Sequence, residues 1–109
     1  MKKTFTLVAI TALTVLSAVR LPADTKADPG SVKIDNFSFT PQALTVHPGT
    51  KVTWVNKDDV PHTVTSVDKK FGSRALDTDE QFSFTFSAPG TYSYFCSIHP
   101  HMTGKVIVQ

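Results

Sequence analysis

The stretch YFCSIHPHM, residues 94–102, concentrates side chains that bind soft and borderline metal ions. It contains Cys96, the only cysteine of the 109-residue chain, together with His99, His101 and Met102. Thiolate, thioether and imidazole donors together select copper, and two histidines with one cysteine and a weak axial methionine form the blue copper arrangement. The spacing Cys-x-x-His-x-x-Met therefore predicts a copper centre in this loop.

The second histidine ligand has to come from elsewhere in the chain. His62 follows a proline at the start of a predicted strand, and Val64 shares its inward face. Within the loop, the residues alone leave His99 and His101 as alternatives. His47 lies in a Pro-Gly turn and is expected to be solvated. His62 is therefore the candidate outside the loop.

Each donor also has an interpretation without copper. Cys96 could be an inert buried thiol, and Met102 could fill a gap in the core, because both side chains pack well. Zinc also accepts cysteine and histidine, but a catalytic zinc keeps a water position and rarely uses a thioether. A cysteine nucleophile would leave Met102 unexplained and would lie on a core-facing strand end. The fixed offsets favour copper, and we expect no enzyme.

The rest of the chain predicts the strands that must position these donors. In KVTWVN, residues 51–56, Val52, Trp54 and Asn56 share one face, and in QFSFTF, residues 81–86, the three phenylalanines do. TYSYFC places Cys96 on the inward face. Residues 68–80, which include Lys69 and Lys70, are polar and irregular, which predicts a long loop or an edge segment. Seven to eight short strands with such turns predict an antiparallel β-sandwich. An immunoglobulin domain would need a second cysteine.

The N-terminal segment, residues 1–27, has the pattern of a signal peptide. Two lysines precede an apolar run, and small residues follow it, with Ala27 as the expected last residue and Ala23 as the alternative. The domain is then residues 28–109, a protein exported to the periplasm. It keeps seven Lys/Arg and eight Asp/Glu, because the leader carries four of the 11 basic and one of the nine acidic residues. This balance predicts no nucleic-acid partner and no anionic-membrane partner. The mature chain is also expected not to insert into a membrane.

The segments VTWVN, PHTV and GTYSYFCSIHPHMTGKVIV resemble the cupredoxins, and among them the amicyanins, over residues 32–109. The resemblance implies a Greek-key β-sandwich that holds one type 1 copper ion. It implies His62, Cys96 and His99 as equatorial ligands and Met102 as the axial ligand, which resolves the choice between His99 and His101.

The resemblance also implies residues around the ligands. Asn56 matches an asparagine that fastens the ligand loops together, and we expect its partner here to be Ser97. Pro100 and His101 are expected beside the ligands, with His101 standing where amicyanin loops usually have phenylalanine. Asp58 and Asp59, by contrast, are expected to be a solvated loop face.

The function that the resemblance implies is the transport of single electrons by Cu(I)/Cu(II) cycling. Amicyanins pass electrons from an amine dehydrogenase to a c-type cytochrome, so partners of these kinds are expected for a small monomeric carrier. The alternative is a copper-handling protein, for delivery or scavenging, because it would use the same four ligands.

Overall fold

The computed structural model describes residues 30–109, which form eight strands. The predicted signal peptide, residues 1–27, and the first two residues of the predicted domain lie outside the described residues. The strands are β1 (Gly30–Asp35), β2 (Ser38–Thr40), β3 (Ala43–Val46), β4 (Thr50–Asn56), β5 (Thr65–Ser66), β6 (Gln81–Phe86), β7 (Gly90–Phe95) and β8 (Thr103–Val108). No helix among the described residues is long and apolar enough to cross a membrane.

The strands form two four-stranded sheets, in the orders β2-β1-β4-β6 and β3-β8-β7-β5. The predicted sandwich is confirmed, but the sheets are mixed rather than wholly antiparallel. β1 runs parallel to β4, and β3 runs parallel to β8. Alternation could not reveal this, because side chains alternate with period two in parallel and antiparallel strands alike.

The core lies between the sheets and is centred on Trp54. As alternation predicts, Val52, Trp54 and Asn56 are fully buried. Tyr94 meets the Trp54 ring edge-on at 5.3 Å, and burial raises the pKa of Tyr94 to about 12. On strand β8, Gly104 leaves room for the Tyr94 ring, because a Cβ at residue 104 would lie only 2.6 Å from that ring.

One short segment differs from the prediction. HTVTSV, residues 62–67, was expected to form one strand, but only Thr65–Ser66 pairs with β7. The residues before it bond to the long loop instead, with His62 and Leu76 exchanging backbone hydrogen bonds of 3.1 and 2.7 Å. At the other end of the first sheet pairing, Asn36 and Phe37 form the turn between β1 and β2, since Asp35 pairs with Ser38.

One end of the sandwich brings together three segments that are distant in sequence. They are the β1–β2 turn, the segment 57–64 after β4, and the loop 96–102 after β7. Contacts among these three segments build the candidate site.

Candidate metal centre

The ligand loop follows directly from strand β7 and closes on itself. The Cys96 N–H donates to the Met102 carbonyl at 3.0 Å, and the Cys96 carbonyl accepts from the His99 N–H at 3.2 Å. The Met102 N–H donates to the His99 carbonyl at 2.9 Å. These three bonds hold the backbone of the three predicted loop ligands in one compact turn.

Two histidine nitrogens face the cysteine sulfur. The Nδ1 atoms of His62 and His99 lie 3.7 and 3.8 Å from Cys96 Sγ. The donor atoms of these three residues all lie within 4.8 Å of one another. Cys96 and His62 are fully buried, whereas His99 is partly exposed. His62 therefore reaches the loop from the middle of the chain.

These separations fit a metal ion. With zinc-like bonds of about 2.3 Å to sulfur and about 2.0 Å to nitrogen, meeting at about 120°, sulfur and nitrogen stand about 3.7 Å apart. The observed separations agree with this trigonal value. A thiol with two imidazoles is also the donor set that suits copper. The residues present thus fit copper in both distance and chemistry.

The remaining candidates from the sequence occupy different surroundings. Met102 is buried at 6% exposure and is held by its backbone next to His99 and Cys96. His101 and Pro100 are exposed on the outside of the loop, so the histidine that faces Cys96 is His99. Ser97 is exposed as well and begins the turn after the cysteine.

The expected bond between Asn56 and Ser97 is wrong. Asn56 Nδ2 donates to the carbonyls of Val60 and Leu76 at 2.9 and 2.8 Å, and its Oδ1 accepts from the Asp58 N–H at 2.9 Å. Asn56 therefore fastens the segment that leads to His62, rather than the cysteine loop. The polar atoms of the Asn56 side chain are taken up by nearby backbone groups.

Thr63 is the residue that joins the two ligand segments. Its N–H donates to Cys96 Sγ at 3.3 Å, and its Oγ1 accepts from the Ser97 N–H at 2.8 Å. The hydroxyls of Thr63 and Ser97 also bond to each other at 3.0 Å. A hydrogen bond to sulfur stabilises the thiolate and tunes the potential of a bound metal. The sequence reasoning did not single out Thr63.

Asp58 orients His62 and was wrongly expected to be a solvated loop residue. Its side chain is only 10% exposed, and its Oδ2 lies 2.8 Å from His62 Nε2. A proton on Nε2 donated to this carboxylate leaves Nδ1 free to bind a metal, as carboxylates often do for metal-binding histidines. Desolvation raises the pKa of Asp58, but hydrogen bonds from the Phe37 and Asn36 N–H groups and from His62 outweigh it, so the pKa is lowered.

Comparison with known proteins agrees with the fold and the donor set. The family model of the cupredoxin-like domain matches residues 6–108. The chain belongs to the cupredoxin-like family. This cupredoxin is 37% identical to amicyanin-alpha of Methylorubrum extorquens over 110 residues, which cover 94% of this chain and 92% of the relative. It is 35% identical to the amicyanin of Paracoccus versutus over 92 residues, covering 80% of this chain and 70% of the relative.

Solved structures give the same result. A purple cupredoxin from Nitrosopumilus maritimus superposes with a TM-score of 0.70 at 33% identity, covering 73% of this chain and 99% of that one. An oxidised amicyanin variant superposes with a TM-score of 0.70 at 32% identity, covering 74% of this chain and 82% of that one. Family and donor set together make copper the cofactor of this cupredoxin.

Proposed function

We propose that this chain is an exported, periplasmic blue copper protein that carries single electrons between redox partners. His62, Cys96 and His99 are the equatorial ligands, and Met102 is the axial ligand. The observation that carries the proposal is the approach of both Nδ1 atoms to the buried Cys96 sulfur, at 3.7 and 3.8 Å. The protein is an electron carrier rather than an enzyme.

Copper, when bound, supplies a one-electron couple. The chain's own residues keep the donors in place while the charge changes. Cys96 is fixed by the Thr63 N–H on its sulfur, and His62 by the Asp58 carboxylate on its far nitrogen. Because both are fully buried, little solvent has to reorganise around them. His99 is partly exposed, so its imidazole is the proposed exit for the electron toward a partner.

The predicted leader supports the proposed periplasmic location, and the relatives support the proposed redox partners. The leader predicted at residues 1–27 would direct the chain to the periplasm. Since relatives named amicyanin match the chain over most of its length, an amine dehydrogenase as donor and a c-type cytochrome as acceptor are the proposed partners. A diffusing monomer suits this role.

The proposal is tested by the visible spectrum of the mature protein. We expect one copper per chain and an intense visible band with Cu(II) that ascorbate bleaches and air or ferricyanide restores. Zinc-loaded protein, which has no such band, serves as the control. A chain that binds Cu(II) with only the weak colour of nitrogen and oxygen ligands would contradict the thiolate assignment and the proposed function.

The axial assignment has its own test. Met102→Gln replaces a soft thioether by a harder amide oxygen, which favours Cu(II) over Cu(I). We expect a blue protein whose reduction potential is lower by about 59 mV or more, since 59 mV is tenfold for a one-electron couple. Protein-film voltammetry measures the change. A potential equal to that of the unmodified protein would remove Met102 from the ligand set.

A further inference from the structure

The turn between β1 and β2 carries a residue that its backbone does not favour. Asn36 and Phe37 have φ angles of 54° and 57°, and the turn joins the paired residues Asp35 and Ser38. Two-residue hairpin turns with two positive φ angles strongly favour Asn-Gly. Positive φ is unusual for a bulky side chain, so a phenylalanine in the glycine position calls for a functional explanation.

The Phe37 ring lies against both histidines of the candidate centre. Its centroid is 5.2 Å from that of His62 and 5.0 Å from that of His99, and both pairs are edge-on at 88°. The residue is nevertheless 48% exposed. About half of Phe37 is therefore open to solvent, while its ring contacts both imidazoles. Phe37 is not itself a metal donor.

The same carboxylate that orients His62 holds this turn in place. Asp58 Oδ1 accepts from the Asn36 N–H at 2.6 Å, and Oδ2 accepts from the Phe37 N–H at 2.9 Å. Oδ2 also contacts His62 Nε2 at 2.8 Å. Backbone amides at the turn and the imidazole of a ligand thus share one acceptor group. A movement of the turn and a movement of His62 are coupled through Asp58.

We propose that the Asn36–Phe37 turn is a clamp over the two histidines, latched by Asp58, that slows the exchange of copper. The inference rests on the proposed copper ligands but not on the redox partners. Copper leaves only when an imidazole turns away, and Phe37 packed against both rings opposes that movement. Slow exchange of copper suits an electron carrier that retains its metal, and it does not suit a copper-handling protein that delivers it.

Phe37→Gly separates this role from an ordinary contribution to folding. Glycine suits the positive φ, so the metal-free variant should unfold at the same temperature as the parent protein or higher. Transfer of copper from the reduced protein to a Cu(I)-selective chelator should become about 10-fold faster or more, the scale seen for residues that support metal ligands. Ile98→Ala is the control, because Ile98 is another exposed apolar side chain, at 46%, and it lies in the ligand loop itself.

The latch is tested by Asp58→Asn against Asp59→Asn. Both remove one negative charge, but Asp59 is exposed and makes no side-chain hydrogen bond within the described residues. Asp58→Asn should accelerate copper transfer and Asp59→Asn should not. Adding Phe37→Gly to Asp58→Asn should add little further acceleration, because a turn released from its latch no longer holds the ring in place.

The outcomes distinguish the clamp from the copper site. Fast transfer in Phe37→Gly, with unchanged metal-free stability and non-additive coupling to Asp58→Asn, supports the clamp. The clamp is overturned if the variants are blue and transfer copper at the parent rate. It is also overturned if the effects of Phe37→Gly and Asp58→Asn on the transfer rate simply multiply in the double variant. Either result leaves the ligand assignment in place. A parent protein without the blue band would overturn the ligand assignment, and the clamp with it.

Discussion

Cys96→Ser is expected to abolish the intense visible absorption of the Cu(II) protein without unfolding it. A serine hydroxyl is not ionised near neutral pH and is a hard donor, so the thiolate that defines a blue copper site is lost. The variant is close in size at a fully buried position, so the strand and the loop should keep their structure. Affinity for copper should fall by more than about 100-fold, beyond the loss caused by removing supporting residues alone.

Absorption spectroscopy with Cu(II), paired with circular dichroism of the metal-free protein, measures both parts of this expectation. His101→Phe is the matched control, because His101 lies exposed in the same loop and does not face the sulfur. It should stay blue. If Cys96→Ser kept an intense band, the sulfur could not be a copper ligand, and the loop 96–102 would be ordinary packing.

The part of the site that could be predicted from sequence is the part that is local. Cys96, His99 and Met102 lie within seven consecutive residues, so a tight loop after a strand leaves their backbones close together whatever the rest of the chain does. His62 required a further step. Its position at the end of the core had to be inferred from which side chains of its predicted strand face inward. The structure places its Nδ1 3.7 Å from the sulfur.

The supporting residues could not be predicted, because each acts across a contact that sequence spacing does not encode. Thr63 meets Ser97 34 positions away, and Asp58 meets Phe37 21 positions away. An Asp-Asp pair in a polar loop is usually solvated, and nothing in its neighbours showed that Asp58 would be enclosed by a distant turn. The Asn-Phe pair itself was a usable clue, since asparagine is common at positive φ.

The fold likewise has features that could be predicted from the sequence and features that could not. Burial on the inner face of β4 could be predicted because alternation is local, and the buried Val52 and Trp54 confirm it. Strand direction could not, because the parallel partners β1 and β4 are brought together by a crossover through β3 in the other sheet. That crossover places the β1–β2 turn beside the segment that carries His62. The clamp contacts thus depend on the feature of the fold that the sequence did not reveal.

Asn56→Leu is expected to lower the free energy of unfolding of the metal-free protein by about 3 kcal/mol or more. Leucine has a similar volume, but it leaves the Val60 carbonyl and the Asp58 N–H without their buried partner, at about 1–3 kcal/mol each. The Leu76 carbonyl keeps a bond from the His62 N–H, so it is less affected. Urea denaturation measures the change. The loss is large against a total stability of about 5–15 kcal/mol for a small domain.

Thr53→Val is the control for Asn56→Leu on the same strand. Among residues 30–109, the Thr53 side chain bonds only to Ser83 Oγ, so its replacement should cost about 1 kcal/mol. Equal losses of unfolding free energy in the two variants would show that the three side-chain bonds of Asn56 contribute no more to stability than the single bond of Thr53. A larger loss in Asn56→Leu should come with faster release of copper, because the three bonds of Asn56 also fix the segment that carries Asp58 and His62.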